Sequence, residues 1–123
     1  MVEFAVVAPV MILLILGVFE IGRLMMVKNA ATYASREGAR VGVTPTASRD
    51  EVVQRVEEVM AAYNIPDPQI EVQPESLGMA EPGDMVTITV SVDAASVSWV
   101  GNALDLAITD VVGSTSMRRE STQ

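Results

Sequence analysis

The chain opens with a hydrophobic block: from Phe4 to Phe19 no side chain is charged or strongly polar. As a helix rising about 1.5 Å per residue, this block covers roughly 24 Å. Continued through Glu20 and Arg23 to Val27, it is long enough for a bilayer core of roughly 30 Å. Glu20 and Arg23 are spaced i, i+3, so the two charges can pair on one helix face and lie at the membrane interface. Pro9 removes a backbone donor and crowds the preceding turn, which predicts a bend or a locally opened helix near Ala5 to Pro9.

Beyond Val27 the pattern changes, yet no helix breaker occurs before Thr44-Pro45. One helix over roughly Val2 to Val41 follows. In its second half Ala30, Ala34, Gly38 and Gly42 recur every four positions and make one nearly smooth face, while Lys28, Thr32, Arg36 and Arg40 take the opposite one. A smooth face allows close backbone approach, and it serves a neighbouring helix or the chain's own sheet equally well.

Ser48-Arg49-Asp50-Glu51 matches the S-x-x-E capping box and opens a second helix, with Val52, Val53, Val56, Val59 and Met60 on one stripe and an end near Tyr63. Three strand candidates come next. Ile70 to Gln73 is short, and Met85 to Asp93 alternates with Val86, Ile88, Val90 and Val92 on one face. A third lies within Ala107 to Arg119, its inward set being either Val111, Thr115 and Met117 or Ile108, Val112 and Ser116. Residues 74–84 read as a loop, and Val97 to Asp105, with Trp99, takes no assignment.

These elements predict an α+β protein: a long N-terminal helix, with a small head of one further helix and a three-stranded antiparallel sheet packed on its C-terminal half. Residues 1–43 form the stem, with 4–27 as its membrane or assembly segment, and residues 44–123 form the head. A head of this size has a small core, so stem and head are expected to pack as one domain.

Charge sharpens the division. Of 16 acidic and 8 basic residues, the stem holds three acids and four bases, leaving an acidic head. Nucleic acid is a poor partner for such a head, since binding its phosphates needs clustered Lys and Arg. The chain contains no Cys and no His. That removes disulfides, thiolate chemistry, the usual general base near neutral pH and the commonest metal ligand. Glu71, Glu75, Glu81, Asp84 and Asp93 do not follow calcium-loop spacing and read as a solvated acidic face. No catalytic residue, metal site or cofactor is expected.

A secretory signal peptide would carry bases ahead of its apolar run and a small-residue cleavage site behind it. Here Glu3 precedes the run and no base does, so an uncleaved stem is the expectation.

Glu3-Phe4-Ala5 leading the run, Pro9 within it, Gly17 followed by Glu20, Gly22 and Arg23, and the block Arg36-Glu37-Gly38-Ala39-Arg40 together resemble the N-terminal segment of TadE-like pilins and pseudopilins of tight-adherence pilus systems. The resemblance covers the first third of the chain. Met117-Arg118-Arg119-Glu120 also looks like the end of the final strand in such proteins.

The resemblance implies synthesis with a short basic leader, insertion in the inner membrane, cleavage by a prepilin peptidase and extraction into a cell-surface pilus. The implied partners are copies of the chain or related pilins, the membrane and the assembly machinery. In the family pattern the acid lies four positions after the first mature residue, whereas Glu3 lies two after Met1. A trimmed chain, an added or selected Met1, or different processing would account for that. Lys28, Arg36 and Arg40 taken alone would place the head in the cytoplasm by the positive-inside rule, and a removed basic leader would reverse this.

By the same resemblance, Glu3 pairs with a free N-terminal ammonium during assembly and acts as a register mark; otherwise it is a solvated carboxylate at the membrane surface. Pro9, Gly17, Glu20 and Arg23 are the accompanying assembly positions. The expected function is a non-enzymatic pilin subunit that polymerises through its apolar helix and serves attachment. The alternatives are a minor membrane-anchored pseudopilin and, less favoured, a surface adhesin or carbohydrate-binding module using the 74–84 loop.

Overall fold

The computed structural model describes residues 1–99 and 109–120. A single helix, α1, runs Val2–Gly42 and keeps its helical course through Pro9, without the opened turn expected at Ala5 to Pro9. It closes at Val43, whose N–H reaches the Ala39 carbonyl at 3.0 Å. The second helix, α2 (Arg49–Ala62), starts at the expected capping box. Glu51 N–H donates to Ser48 Oγ at 3.3 Å, and Ser48 N–H donates to the Glu51 carboxylate at 3.0 Å. Two otherwise orphan donors at the helix start are thereby satisfied.

The strands β1 (Gln69–Gln73), β2 (Met85–Asp93) and β3 (Asp110–Arg118) form an antiparallel sheet in the order β1-β2-β3. In its register Ile88 lies opposite Val72 on one side and Thr115 on the other. On β2, Val86, Ile88, Val90 and Val92 are fully buried, as the alternation predicts. On the outer face Thr87 and Thr89 bond the hydroxyls of Ser116 and Ser114 at 2.8 and 3.1 Å.

The core lies between this sheet, α2 and the later part of α1. Leu24, Val27, Ala30, Ala31, Ala34 and Ala39 of α1 meet Val52, Val56, Val59 and Met60 of α2 and the inner face of β2. At about 1.5–3 kcal/mol for each large aliphatic side chain removed from water, this shared core ties stem to head. The smooth face of α1 is buried here. A Cβ on Gly38 would lie 2.6 Å from Val56 Cγ2 and 3.3 Å from Ile88 Cγ2, so α2 and the sheet occupy the space that glycine leaves. Ala30, Ala34 and Gly42 lie on the same buried face, which is therefore filled by the chain's own head.

Between α1 and β3 the approach is closer still. A Cβ on Gly113 would lie 2.4 Å from the backbone nitrogen of Thr32. This draws Thr32 out of the solvated row in which the sequence places it: it is half-buried, while Lys28, Arg36 and Arg40 stay exposed. Ser35, fully buried, bonds Thr115 across the same contact at 2.7 Å. The inward set of β3 is thus Val111, Gly113, Thr115 and Met117, with Val112 outside. Ala107 and Ile108, at the expected start of this strand, lie outside the described residues.

The loop at 74–84 contains a short 3-10 turn, Leu77–Met79, whose Leu77 is buried in the core. Arg119, also buried, donates to the carbonyls of Leu77 and Pro45. Its own N–H reaches the Asp84 carbonyl, while Glu120 N–H reaches Val43. The end of the chain thereby fastens the loop after α1 and the loop before β2 together.

Candidate functional site

No cluster of three or more His, Cys, Asp or Glu able to hold a metal occurs among the described residues. The feature that stands out is the stem. Its 41 residues include a window of mean hydropathy 2.6, of which 6 % is buried, so α1 is long and apolar enough to cross a membrane. Phe4, Val10, Leu14, Val18 and Phe19 are all exposed, each standing clear of the head. A contiguous apolar surface of this extent marks a membrane or protein interaction surface.

The expected assembly positions fall into two groups. Glu3 and Pro9 lie on the exposed stem, and Glu3 makes no ion pair among the described residues. Gly17 is half-buried, with nothing within 4 Å of where its Cβ would be. Glu20 and Arg23, by contrast, belong to the head's boundary. The segment 4–27 therefore divides at Glu20, because from there on one face of the helix is covered.

Glu20 is only 3 % exposed. Its carboxylate accepts the backbone N–H of Trp99 at 3.1 Å. One turn on, Arg23 Nε–H donates to the Val97 carbonyl at 3.4 Å, and the guanidinium lies 5.6 Å from the centre of the Trp99 ring. Residues i and i+3 share a helix face, so both side chains meet the same element: the one-turn helix α3 (Ala94–Val97) and the Trp99 that follows it. The i, i+3 spacing, expected to make a pair at the interface, instead makes a two-point clamp on the head. α3 itself starts on Asp93, whose side chain accepts the Ala95 N–H at 3.0 Å.

Higher on the stem, Glu37 bonds Arg55 of α2 at 3.0 Å and Arg40 at 3.2 Å. The hydrogen bond from Arg55, opposed in part by desolvation and supported by Arg40, holds the Glu37 carboxyl below its ordinary value of 4.5. The same hydrogen bond raises Arg55 above its ordinary value.

An open groove of about 410 Å³ lies between Ile21, Leu24 and Met25 of α1 and Val111 and Val112 of β3, with Lys28 and Asp110 as its polar groups. The sequence pattern assigns no contact to Trp99 or Gly113, and places Arg119 only at the end of the final strand. Trp99 is the one tryptophan of the chain, and a glycine inside an alternating strand marks a close backbone approach. Nothing local signals the carbonyls that Arg119 meets.

In comparison with known proteins, the family described as TadE-like protein matches residues 1–40. This is the segment whose landmarks carry the resemblance, and it contains both the exposed stem and the Glu20–Arg23 clamp. No curated protein and no solved structure matches the chain.

Proposed function

We propose that this chain is a non-enzymatic, pilin-like structural subunit, held in a membrane by α1 and assembled through the same helix into a surface filament of the tight-adherence type. One observation carries the reading: a single helix has one face buried in its own head from Glu20 onward and is bare and apolar before it. A stem of this kind requires a second environment. Exposing its large aliphatic side chains to water costs about 1.5–3 kcal/mol each, against the roughly 5–15 kcal/mol that stabilises a typical domain. Lipid supplies that environment before assembly, and neighbouring stems supply it afterwards. The similarity of residues 1–40 to the TadE-like family supports the same reading.

The smooth face of α1 is taken up by the head, so contacts between copies fall to the bare stem, where Gly17 and Ala8 permit close approach. Glu3, exposed on that stem, is the acid that marks register between copies in this reading. Immunogold electron microscopy of surface material from cells making the protein tests this function. The expected result is label repeating along filaments. Recovery of the chain only in the inner-membrane fraction, never in filaments, would replace the filament subunit with a membrane-bound pseudopilin.

A further inference from the structure

The clamp at Glu20 and Arg23 holds a tryptophan where the bare stem ends. Val2 to Phe19 span about 27 Å as a helix, close to the roughly 30 Å of a bilayer core. Glu20 and Arg23 follow within the next turn, about 6 Å further along. The Trp99 ring is therefore held at the level where hydrocarbon gives way to headgroups, and it is 69 % exposed. Tryptophan is enriched at this level because its ring is largely apolar while its indole N–H needs a polar partner.

Arg23 adds the complementary group. A guanidinium has five N–H donors. Among the described residues its one hydrogen bond is from Nε to the Val97 carbonyl, and its charge lies over the Trp99 ring. The terminal nitrogens remain to meet an acceptor, and a phosphate suits a planar guanidinium in two-pronged fashion.

We infer that Trp99 and Arg23 form an interfacial anchor that binds the headgroup layer of the bilayer and sets how deeply the stem inserts, with Glu20 as the positioning residue that holds Trp99 there. The anchor rests on the membrane stage of the proposed function. The occupant is a phosphate-bearing, zwitterionic lipid surface. With its excess of acids the head is repelled by a strongly anionic one. A tryptophan fixed by the backbone to the stem acts as a stop: further insertion drags the head's acids toward hydrocarbon, and withdrawal strips the ring of its interface.

Trp99 is the chain's own probe. The full-length protein is reconstituted into phosphatidylcholine vesicles, and flotation and tryptophan emission are measured with acyl chains brominated near the headgroup or near the bilayer centre. The expected result is flotation with the vesicles, blue-shifted emission, and stronger quenching by the shallow bromines than by the deep ones. Protein that floats but emits as in water, or whose emission is blue-shifted yet unquenched by either lipid, overturns the anchor while leaving the membrane stage standing. Protein that does not float overturns both. Glu20→Ala, checked for intact fold by circular dichroism, should float equally and lose the preference for shallow quenching. An unchanged quenching profile in that variant removes the positioning role of Glu20.

Discussion

Gly113 of β3 crosses α1 at Thr32 so closely that a β-carbon on the glycine would lie 2.4 Å from the Thr32 backbone nitrogen. The neighbours here are backbone atoms of a helix locked into the core, and they cannot give way as a side-chain tip can.

Gly113→Ala should therefore lift β3 from the stem, at a cost at or above the roughly 1–3 kcal/mol typical of overpacking. Unfolding of the full chain in mild detergent, followed by circular dichroism, measures it. Gly22→Ala is the control, because nothing lies within 4 Å of that position. Its helix propensity should improve stability by up to about 1 kcal/mol. Equal effects of the two substitutions would contradict the close approach at β3.

Arg119 should prove the most sensitive charged residue of the head. Arg119→Met keeps much of the buried stem but removes the donors to the Leu77 and Pro45 carbonyls. Leaving buried polar groups unsatisfied costs about 1–3 kcal/mol each. A lower unfolding midpoint and faster proteolysis within residues 74–84 are the expected readouts.

The Glu37–Arg55 bridge carries a pH dependence of definite sign. Because the folded state holds the Glu37 carboxyl below 4.5, its contribution is fully present above that value and is lost as pH falls through the lowered folded value. Glu37→Gln should thus lower stability at neutral pH and show a shallower acid-induced loss below pH 4.5 than the wild type. Parallel denaturation curves at neutral and acid pH decide it, and identical slopes for the two proteins would contradict the bridge.

The bare stem and the head should respond separately in assembly. Leu14→Arg places a charge in the middle of the exposed run and should abolish filaments while leaving the head folded, since Leu14 is exposed and outside its core. Glu81→Lys, in the exposed loop, should leave filament yield largely intact. Glu3→Ala should lower filament yield more than membrane insertion, because it deletes the carboxylate proposed to mark register while making the stem less polar. Filament yield and membrane fractionation of the three variants are the measurements. Undiminished filaments in Leu14→Arg would remove the buried-stem basis of assembly, and undiminished filaments in Glu3→Ala would remove the role assigned to that carboxylate.

Local signals made much of the fold legible. The 3.6-residue pattern and lack of breakers delimit α1, Ser48 and Glu51 start α2, and the alternation of β2 selects its buried face, because each rests on neighbours within a turn or a strand. The third strand was ambiguous for the same reason: Val111 and Val112 are equally apolar, and only docking on α1 chooses Val111 for the core. At the candidate site, the exposed stem was read directly from composition, whereas the partners of Glu20 and Arg23 were not. Trp99 lies 79 positions from Glu20, and no local pattern spans that interval.

The sequence by itself determined the elements, their apolar faces and the division into a near-neutral stem and an acidic head, since periodicity and charge are properties of short segments. Tertiary structure alone decided which surface of α1 remains bare. The small-residue face suited another helix or the chain's own sheet equally well, and Gly38 against Val56 and Ile88 gives it to the head. It likewise turned the i, i+3 charges of Glu20 and Arg23 from an expected pair into a clamp on α3 and Trp99. The physical reason is common to both: a smooth surface and a charged side chain each specify the chemistry of a partner. Which partner arrives depends on where distant parts of the chain come to rest when the core closes.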